Sequence, residues 1–389
     1  MSKEFDIVVF GATGFTGGLI AEYLAPRAAA EGITWAIAGR NAQKLEAVRS
    51  TLGASGPASV IVADATDAES LASLAGRTRL VIAAAGPYNM YGADLVLACA
   101  EAGTDYVDLT GEADFVRAMV DAHAETAARS GARIVHCCGV DSMPSDLGVH
   151  LLQTIAIERT GGPVARVKAR VEQFKGAPSG GTVASIMNNM ARAKADPRIA
   201  EILTNPLSLT PQGAGSEQPD QSTPTYDEEL GTWATAFVMA SINRKVVLRT
   251  NALLDHRHHR ELRYDEMLVT GPGEDGRTLA EQLRASGGMP LGDSPPAPGE
   301  GPDRAQREAG SFRFVFRAPK VPELPAVTVS GDMDPGYGST SKMVAEAAIT
   351  LLRDVPDLPG GSWTPASAMA DALRERLIAQ KVLEFTTSG

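Results

Sequence analysis

The segment Gly11-Ala-Thr-Gly-Phe-Thr-Gly17 carries three glycines at a spacing that suits a pyrophosphate. It directly follows the apolar run Ile7–Phe10 and opens a stretch of helical pattern at Phe15. In that setting Gly11 turns the chain tightly, Gly14 lets backbone approach the phosphates, and Gly17 lets helix lie close on strand. Thr13, Phe15 and Thr16 complete the loop, and the first N–H groups of the helix offer the anion a positive dipole end. The spacing is G-x-x-G-x-x-G, a variant common among NADP-dependent reductases, rather than G-x-G-x-x-G.

A dinucleotide site reading NAD places Asp or Glu about 20 residues further on, against the ribose 2′-hydroxyl. Here the place reads Ala38-Gly39-Arg40-Asn41. Arg40 suits a 2′-phosphate and can stack on adenine, so NADPH is the expected cofactor. Two further turns point at the same pocket. Asp64 ends a third apolar run, where it would accept from the adenine amino group or serve as a loop or cap residue. Ala84-Ala85-Gly86-Pro87-Tyr88-Asn89 ends a fourth, with small residues against which a nicotinamide ribose can lie.

These residues need a scaffold, and the first 150 positions supply its pattern. Strands are expected near Asp6–Phe10, Thr34–Ala38, Ser59–Ala63, Leu80–Ala84, Asp105–Asp108 and Arg133–Cys138. Helical patterns fill the gaps: Phe15–Leu24, Ala42–Leu52, Ala68–Leu74, Ala93–Ala102, Ala113–Ser130 and Pro144–Ile157. This alternation predicts α/β structure with a doubly wound parallel Rossmann sheet.

The middle reads differently, as an inserted, mainly antiparallel α+β domain. Strands are expected at Val164–Val171, Val246–Asn251, Leu262–Thr270 and Phe312–Phe316, and helices at Gly181–Ala193 and Leu279–Ser286. Stretches rich in Pro, Gly and Ser, from Asn205 to Tyr226 and from Gly287 to Pro302, read as long loops or lids. The tail returns to helices at Ser341–Leu352 and Pro365–Ala379. The expected division is 1–150 for the nucleotide, 151–335 for substrate and dimerisation, and 336–389 returning to the first domain.

Composition sets the outer bounds. In 389 residues the net charge is -11, which opposes a nucleic-acid partner because neutralising phosphates needs a basic surface. Three cysteines make no disulfide framework, which suits a reducing compartment. There is no basic leader and no apolar run of about 18 residues, so a cytoplasmic protein without a membrane span is expected.

At Gly11–Gly17, Ala38–Arg40, Gly86–Gly92, Tyr106-Val-Asp-Leu-Thr-Gly-Glu112 and Gly139–Asp146 the chain resembles the saccharopine dehydrogenase-like oxidoreductases. Within them it is most similar to the trans-acting enoyl reductases. The likeness continues through Gly180–Asn188, Asp334-Pro-Gly-Tyr-Gly-Ser-Thr-Ser-Lys-Met343 and Thr364–Ala372. The resemblance implies a Rossmann domain, an inserted substrate domain, NADPH, and hydride transfer to an acyl, enoyl or related apolar conjugated carbonyl. Two rivals stand beside it: an opine or saccharopine type of amino-acid dehydrogenase, and a non-catalytic NADPH-binding sensor. A homodimer and peripheral contact with lipid are compatible with all three.

Reducing an enoyl thioester needs a donor to the carbonyl and a proton for the α-carbon. Tyr88, just after the fourth strand, is the first candidate, with packing under the cofactor as the competing role. Asp141 and Ser142 follow the sixth strand, where either could instead cap the helix starting near Pro144. Glu112 reads as the start of a helix. No Tyr-x-x-x-Lys pair occurs. His256, His258 and His259 read as a solvated basic turn rather than metal ligands, and no metal is expected. Cys137-Cys138 reads as core, with one thiol able to face the nicotinamide. The apolar run Trp233–Ile242 reads as core or as a wall for an acyl chain.

Overall fold

The computed structural model describes residues 3–211, 215–285 and 300–388. Its first part runs β1 (Phe5–Phe10), α1 (Phe15–Glu31), β2 (Trp35–Gly39), α2 (Ala42–Thr51), β3 (Ser59–Val62), α3 (Ala68–Arg77) and β4 (Thr78–Ala83). It continues with α4 (Tyr88–Tyr91), α5 (Ala93–Ala102), β5 (Asp105–Asp108), α6 (Ala113–Ser130), β6 (Arg133–Val135) and α7 (Met143–Thr160). The middle holds β7 (Arg166–Lys175), α8 (Gly180–Ala195), α9 (Pro197–Thr204), β8 (Thr225–Asp227), β9 (Thr232–Ala236), α10 (Ala240–Leu253), β10 (Arg263–Gly271) and α11 (Gly273–Ala285). After it come α12 (Arg304–Glu308), β11 (Ser311–Arg317), β12 (Ala326–Gly331), α13 (Thr340–Arg353), β13 (Gly361–Trp363), α14 (Pro365–Ala379) and β14 (Glu384–Ser388).

The first sheet has the order β13-β6-β5-β4-β1-β2-β3, all pairs parallel. Its central strand β1, Phe-Asp-Ile-Val-Val-Phe, is buried along nearly its whole length, as a strand covered on both faces must be. Strand order reverses between β1 and β4, the place where such sheets open a crevice at their carboxyl ends. Register fixes what lines it. Phe10 pairs with Ala38 on one side and Ala83 on the other, so Gly11, Gly39 and Ala84 leave the sheet at one level.

The second sheet, β14-β12-β11-β7-β10-β9-β8, is antiparallel except for the β7–β10 pair. Phe312 and Phe314 are buried in it, packed in edge-on contacts with each other and with Phe174 and Phe237. Helix α7 joins the two parts. It starts at the end of β6 and runs onto the second sheet, where a Cβ on Gly148 would lie 2.3 Å from the Phe316 ring.

Two expectations fail here. Val246–Asn251 is not a strand but the second half of α10. That helix is buried nearly all round, and its Lys245 and Arg249 donate to main-chain carbonyls of Leu203, Leu209 and Ser362, so the run shows no polar face to betray a helical period. The histidine turn is not solvated at its centre. His258 is buried against His150 with ring nitrogens 3.0 Å apart, and burial depresses its pKa to about 3. The tail also divides: β13 extends the first sheet, whereas β14 pairs with β12 of the second. Helix α13 is fastened to α1 by the buried Glu346, which accepts from Tyr23 and Arg27. The expected loop at Gly287–Pro302 lies outside the described residues as far as position 299.

Candidate active site

The glycine loop has the geometry its spacing predicts. Gly11 holds a left-handed φ of 89°, and a Cβ there would meet the backbone between Ala84 and Ala85 at 3.0 Å. A Cβ on Gly17 would stand 2.2 Å from the Gly11 carbonyl oxygen, so helix and loop touch directly. Gly14 is different: it is exposed, and a Cβ would approach only the Gly11 oxygen, at 3.3 Å. It occupies the cap position of α1, where no side chain accepts from the first helical N–H groups. The cradle is open where phosphates would lie, so a dinucleotide fits these residues.

Arg40 is exposed at the end of β2, and the hydroxyl of Thr13 lies 4.0 Å from the Cβ position of Gly39 beside it. Asp64 accepts from the Thr66 amide and hydroxyl, which holds its carboxyl below the usual range, with the Arg40 charge assisting. One of its oxygens is therefore engaged in a local turn. Arg40→Ala should weaken NADPH binding about ten- to a hundredfold and leave NADH nearly unchanged. Fluorescence titration with both cofactors checks this, and equal losses would remove Arg40 from the 2′-phosphate.

Across the crevice, Ala84 and Ala85 are half-buried, Gly86 is exposed and Pro87 starts the short helix α4. Tyr88 turns inward. Its hydroxyl donates to the Ala83 carbonyl at 2.9 Å, its ring packs on Phe115, and burial pushes the phenol well above its ordinary pKa. The amides of Tyr88 and Asn89 donate to the buried Glu112 carboxylate at 3.0 and 2.9 Å. Glu112 does precede α6, as its position suggests, but its side chain caps α4 instead.

Asp141 stands at the end of the β6–α7 turn, its Oδ2 3.1 Å from the Cβ position of Gly111. The residue is half-buried, and no described residue hydrogen-bonds its carboxyl. Loss of water around the charge pushes its pKa up to about 7. Ser142 is fully buried and sits at the cap position of α7 without a capping bond. Its hydroxyl donates to Asn243 at 3.4 Å, and Asn243 in turn donates to the buried Glu266 at 2.7 Å. Ser142 thus belongs to an interior polar chain rather than to the crevice. Cys137 and Cys138 are both buried, with their thiols pushed up by burial.

Residues beyond position 150 also reach the glycine loop and α4, and sequence alone attaches no role to them. Asp334 accepts from the amides of Tyr337 and Gly338, setting the turn Pro335–Ser339. Tyr337 meets Phe15 of the glycine loop edge-on at 5.2 Å, and the Arg307 guanidinium lies 5.8 Å from the same Phe15 ring. The Tyr337 hydroxyl accepts from the Ser179 amide and lies 2.5 Å from the Thr182 hydroxyl, at the start of α8. Further along α8, Ser185 donates to Glu112 and Asn189 accepts from Asn89. The conspicuous segment Asp334-Pro-Gly-Tyr-Gly was the available signal, but nothing local links it to Gly11–Gly17 more than 300 positions earlier.

A separate hollow of about 440 Å³, lined by Arg117, Glu201 and Thr210 among others, shares no residue with these loops. Among the described residues no cluster of three or more His, Cys, Asp or Glu could hold a metal ion, and no helix is long and apolar enough to cross a membrane.

Residues 7–135 match the family described as the saccharopine dehydrogenase NADP binding domain. A protein of Mycobacterium tuberculosis (strain ATCC 25618 / H37Rv) named for trans-acting enoyl reduction is 40% identical, covering 99% of this chain and 98% of that one. The trans-acting enoyl reductase of Mycobacterium bovis (strain BCG / Pasteur 1173P2) is 37% identical with the same coverage. Among solved structures, apo saccharopine dehydrogenase from Saccharomyces cerevisiae shares the fold at a TM-score of 0.55 and 12% identity, over 99% of this chain and 100% of that one.

Proposed function

The chain belongs to the saccharopine dehydrogenase-like family of NADP-dependent reductases that includes the trans-acting enoyl reductases, and we propose that it reduces an enoyl thioester or related apolar conjugated carbonyl. The observation that carries the reading is Asp141. A carboxyl without a hydrogen bond from any described residue, half-open and poised near neutrality, suits proton delivery to a carbon.

NADPH, when bound, supplies the hydride. The chain's own residues bind and orient it: Gly11, Gly14 and Gly17 with Thr13, Phe15 and Thr16 hold the pyrophosphate, and Arg40 takes the 2′-phosphate. Asp64 borders the adenine, and Ala84 to Pro87 back the nicotinamide ribose. Asp141 in its acid form gives its proton to the substrate α-carbon and recovers one from water. In this reading residues 1–150 serve the nucleotide, 151–335 form the substrate and dimer surface, and 336–389 return to the first part. The reaction belongs in the cytoplasm.

Exposed methionines stand on two helices that border this site. Met90 on α4 and Met187 and Met190 on α8 are 58%, 65% and 70% exposed, on two helices joined by the Asn89–Asn189 bond. Flexible thioethers suit an acyl chain or a peripheral lipid. An opine-type dehydrogenase must hold amino-acid carboxylates, and among the described residues no basic side chain pairs with Asp141. NADPH oxidation against a panel of enoyl thioesters and 2-oxo acids tests the choice. Turnover confined to oxo acids would favour the opine reading, and no turnover at all would favour a sensor.

Tyr88 serves this site by packing. Tyr88→Phe should remove a buried hydrogen bond worth roughly 0.5–1.5 kcal/mol of stability and change turnover by less than about tenfold. Steady-state kinetics and a melting curve check both, and a hundredfold loss of turnover with unchanged melting would return the hydroxyl to the chemistry.

A further inference from the structure

Proton delivery by Asp141 leaves the other half of the reaction unassigned. When a C–H bond forms at the β-carbon, the electron pair of the C=C bond moves toward the carbonyl oxygen. That oxygen needs a hydrogen-bond donor until the α-carbon takes its proton and the C=O bond re-forms. With Tyr88 turned onto Ala83, the donor must come from elsewhere.

We propose that Tyr337 is that donor, its hydroxyl aimed into the crevice by Ser179 and Thr182. The inference rests on the reductase reading above. The Tyr337 oxygen accepts from the Ser179 amide and contacts the Thr182 hydroxyl. A phenol oxygen has two lone pairs, and with Thr182 donating these two partners fill both, which leaves the phenol's own proton out of both contacts. An accepted amide N–H also polarises the phenol and strengthens it as a donor.

Position supports the role. Tyr337 touches Phe15 at the start of α1, so it stands beside the nucleotide loop. Thr340, one turn on, contacts the Cβ position of Gly139 at 3.0 Å and bonds the Val140 amide, placing this turn against the segment that delivers Asp141. Tyr337 is itself 5% exposed, which keeps competing water from the hydroxyl.

The test separates polarisation from mere joining of the domains. Tyr337→Phe should lower kcat on the best enoyl thioester about a hundred- to a thousandfold, with NADPH affinity held close to the parent and a melting temperature lowered only by the few degrees that its two lost hydrogen bonds cost. Independently of turnover, the infrared carbonyl stretch of a saturated acyl thioester bound to the parent protein should lie below its value in water. In Tyr337→Phe it should move back toward the free value. Unchanged kcat overturns the proposal. So does a carbonyl stretch in the parent equal to that in water, or a loss of kcat matched by equal losses of NADPH affinity and melting temperature. If the parent reduces no enoyl thioester, the reductase reading fails first, and the infrared shift with a bound thioester still judges Tyr337.

Discussion

Asp141→Asn lowers turnover about a hundred- to ten-thousandfold, the usual contribution of a positioned general acid, and leaves NADPH affinity where it was. The amide keeps the shape over Gly111 but has no acidic proton to give. In the parent the carboxyl is pushed up to about 7, so kcat should fall as pH rises through neutrality, and the variant should lose that limb. Stability moves the same way. A carboxyl whose folded pKa is raised above the unfolded 3.8 is protonated in the native state while the unfolded chain is charged, so stability drops as pH climbs from about 4 to about 7. Above that window Asp141→Asn should melt higher than the parent, by roughly 1–3 °C. Kinetics and melting across this range check both signs. A pH limb that survives in the variant would assign the proton to another group.

Gly14→Val abolishes NADPH binding while the protein stays folded. The two halves of that statement have separate causes. At Gly14 φ is −80°, ordinary for valine, and the nearest atom to a new Cβ is the Gly11 oxygen at 3.3 Å, a tight contact that a shift of a few tenths of an ångström in the exposed loop relieves. The isopropyl group then stands where the pyrophosphate would meet the amides of α1. Losing several charge-assisted bonds, each worth roughly 1.5–3 kcal/mol, weakens binding by more than about a hundredfold. In the parent, saturating NADPH raises the melting temperature, and in the variant that shift disappears. Micromolar binding retained by the variant would make the loop structural only. Gly17→Ala gives the contrast, since a Cβ 2.2 Å from the Gly11 oxygen forces helix and sheet apart.

What the sequence made legible follows from how locally each feature is determined. The parallel sheet and the glycine loop were readable because β1 and Gly11–Gly17 sit next to each other, and each glycine answers to a contact within its own turn or the next strand. The place of Arg40 at the end of β2 was readable from a fixed offset to the same motif. The direction of a side chain was not. Tyr88 stands at the right strand end, yet the Glu112 carboxylate holds its amide and Ala83 takes its hydroxyl, and neither is visible in a linear motif. Ser142 likewise occupies a cap position but bonds Asn243, about a hundred residues on. Tyr337 was hidden for the same reason, because its partners Phe15, Ser179 and Thr182 come from two distant segments. The buried helix α10 was misread because burial on every side removes the polar face that marks a helix.

The most direct test of the account is reduction of an enoyl thioester with NADPH carrying deuterium at the transferable position, in ordinary water, with the product examined by mass spectrometry and NMR. The account predicts a saturated thioester with deuterium at the β-carbon and a solvent-derived hydrogen at the α-carbon, formed by the parent and nearly absent with Asp141→Asn. Deuterium recovered only on the former carbonyl carbon of a 2-oxo acid, or no transfer to any enoyl thioester, would contradict it.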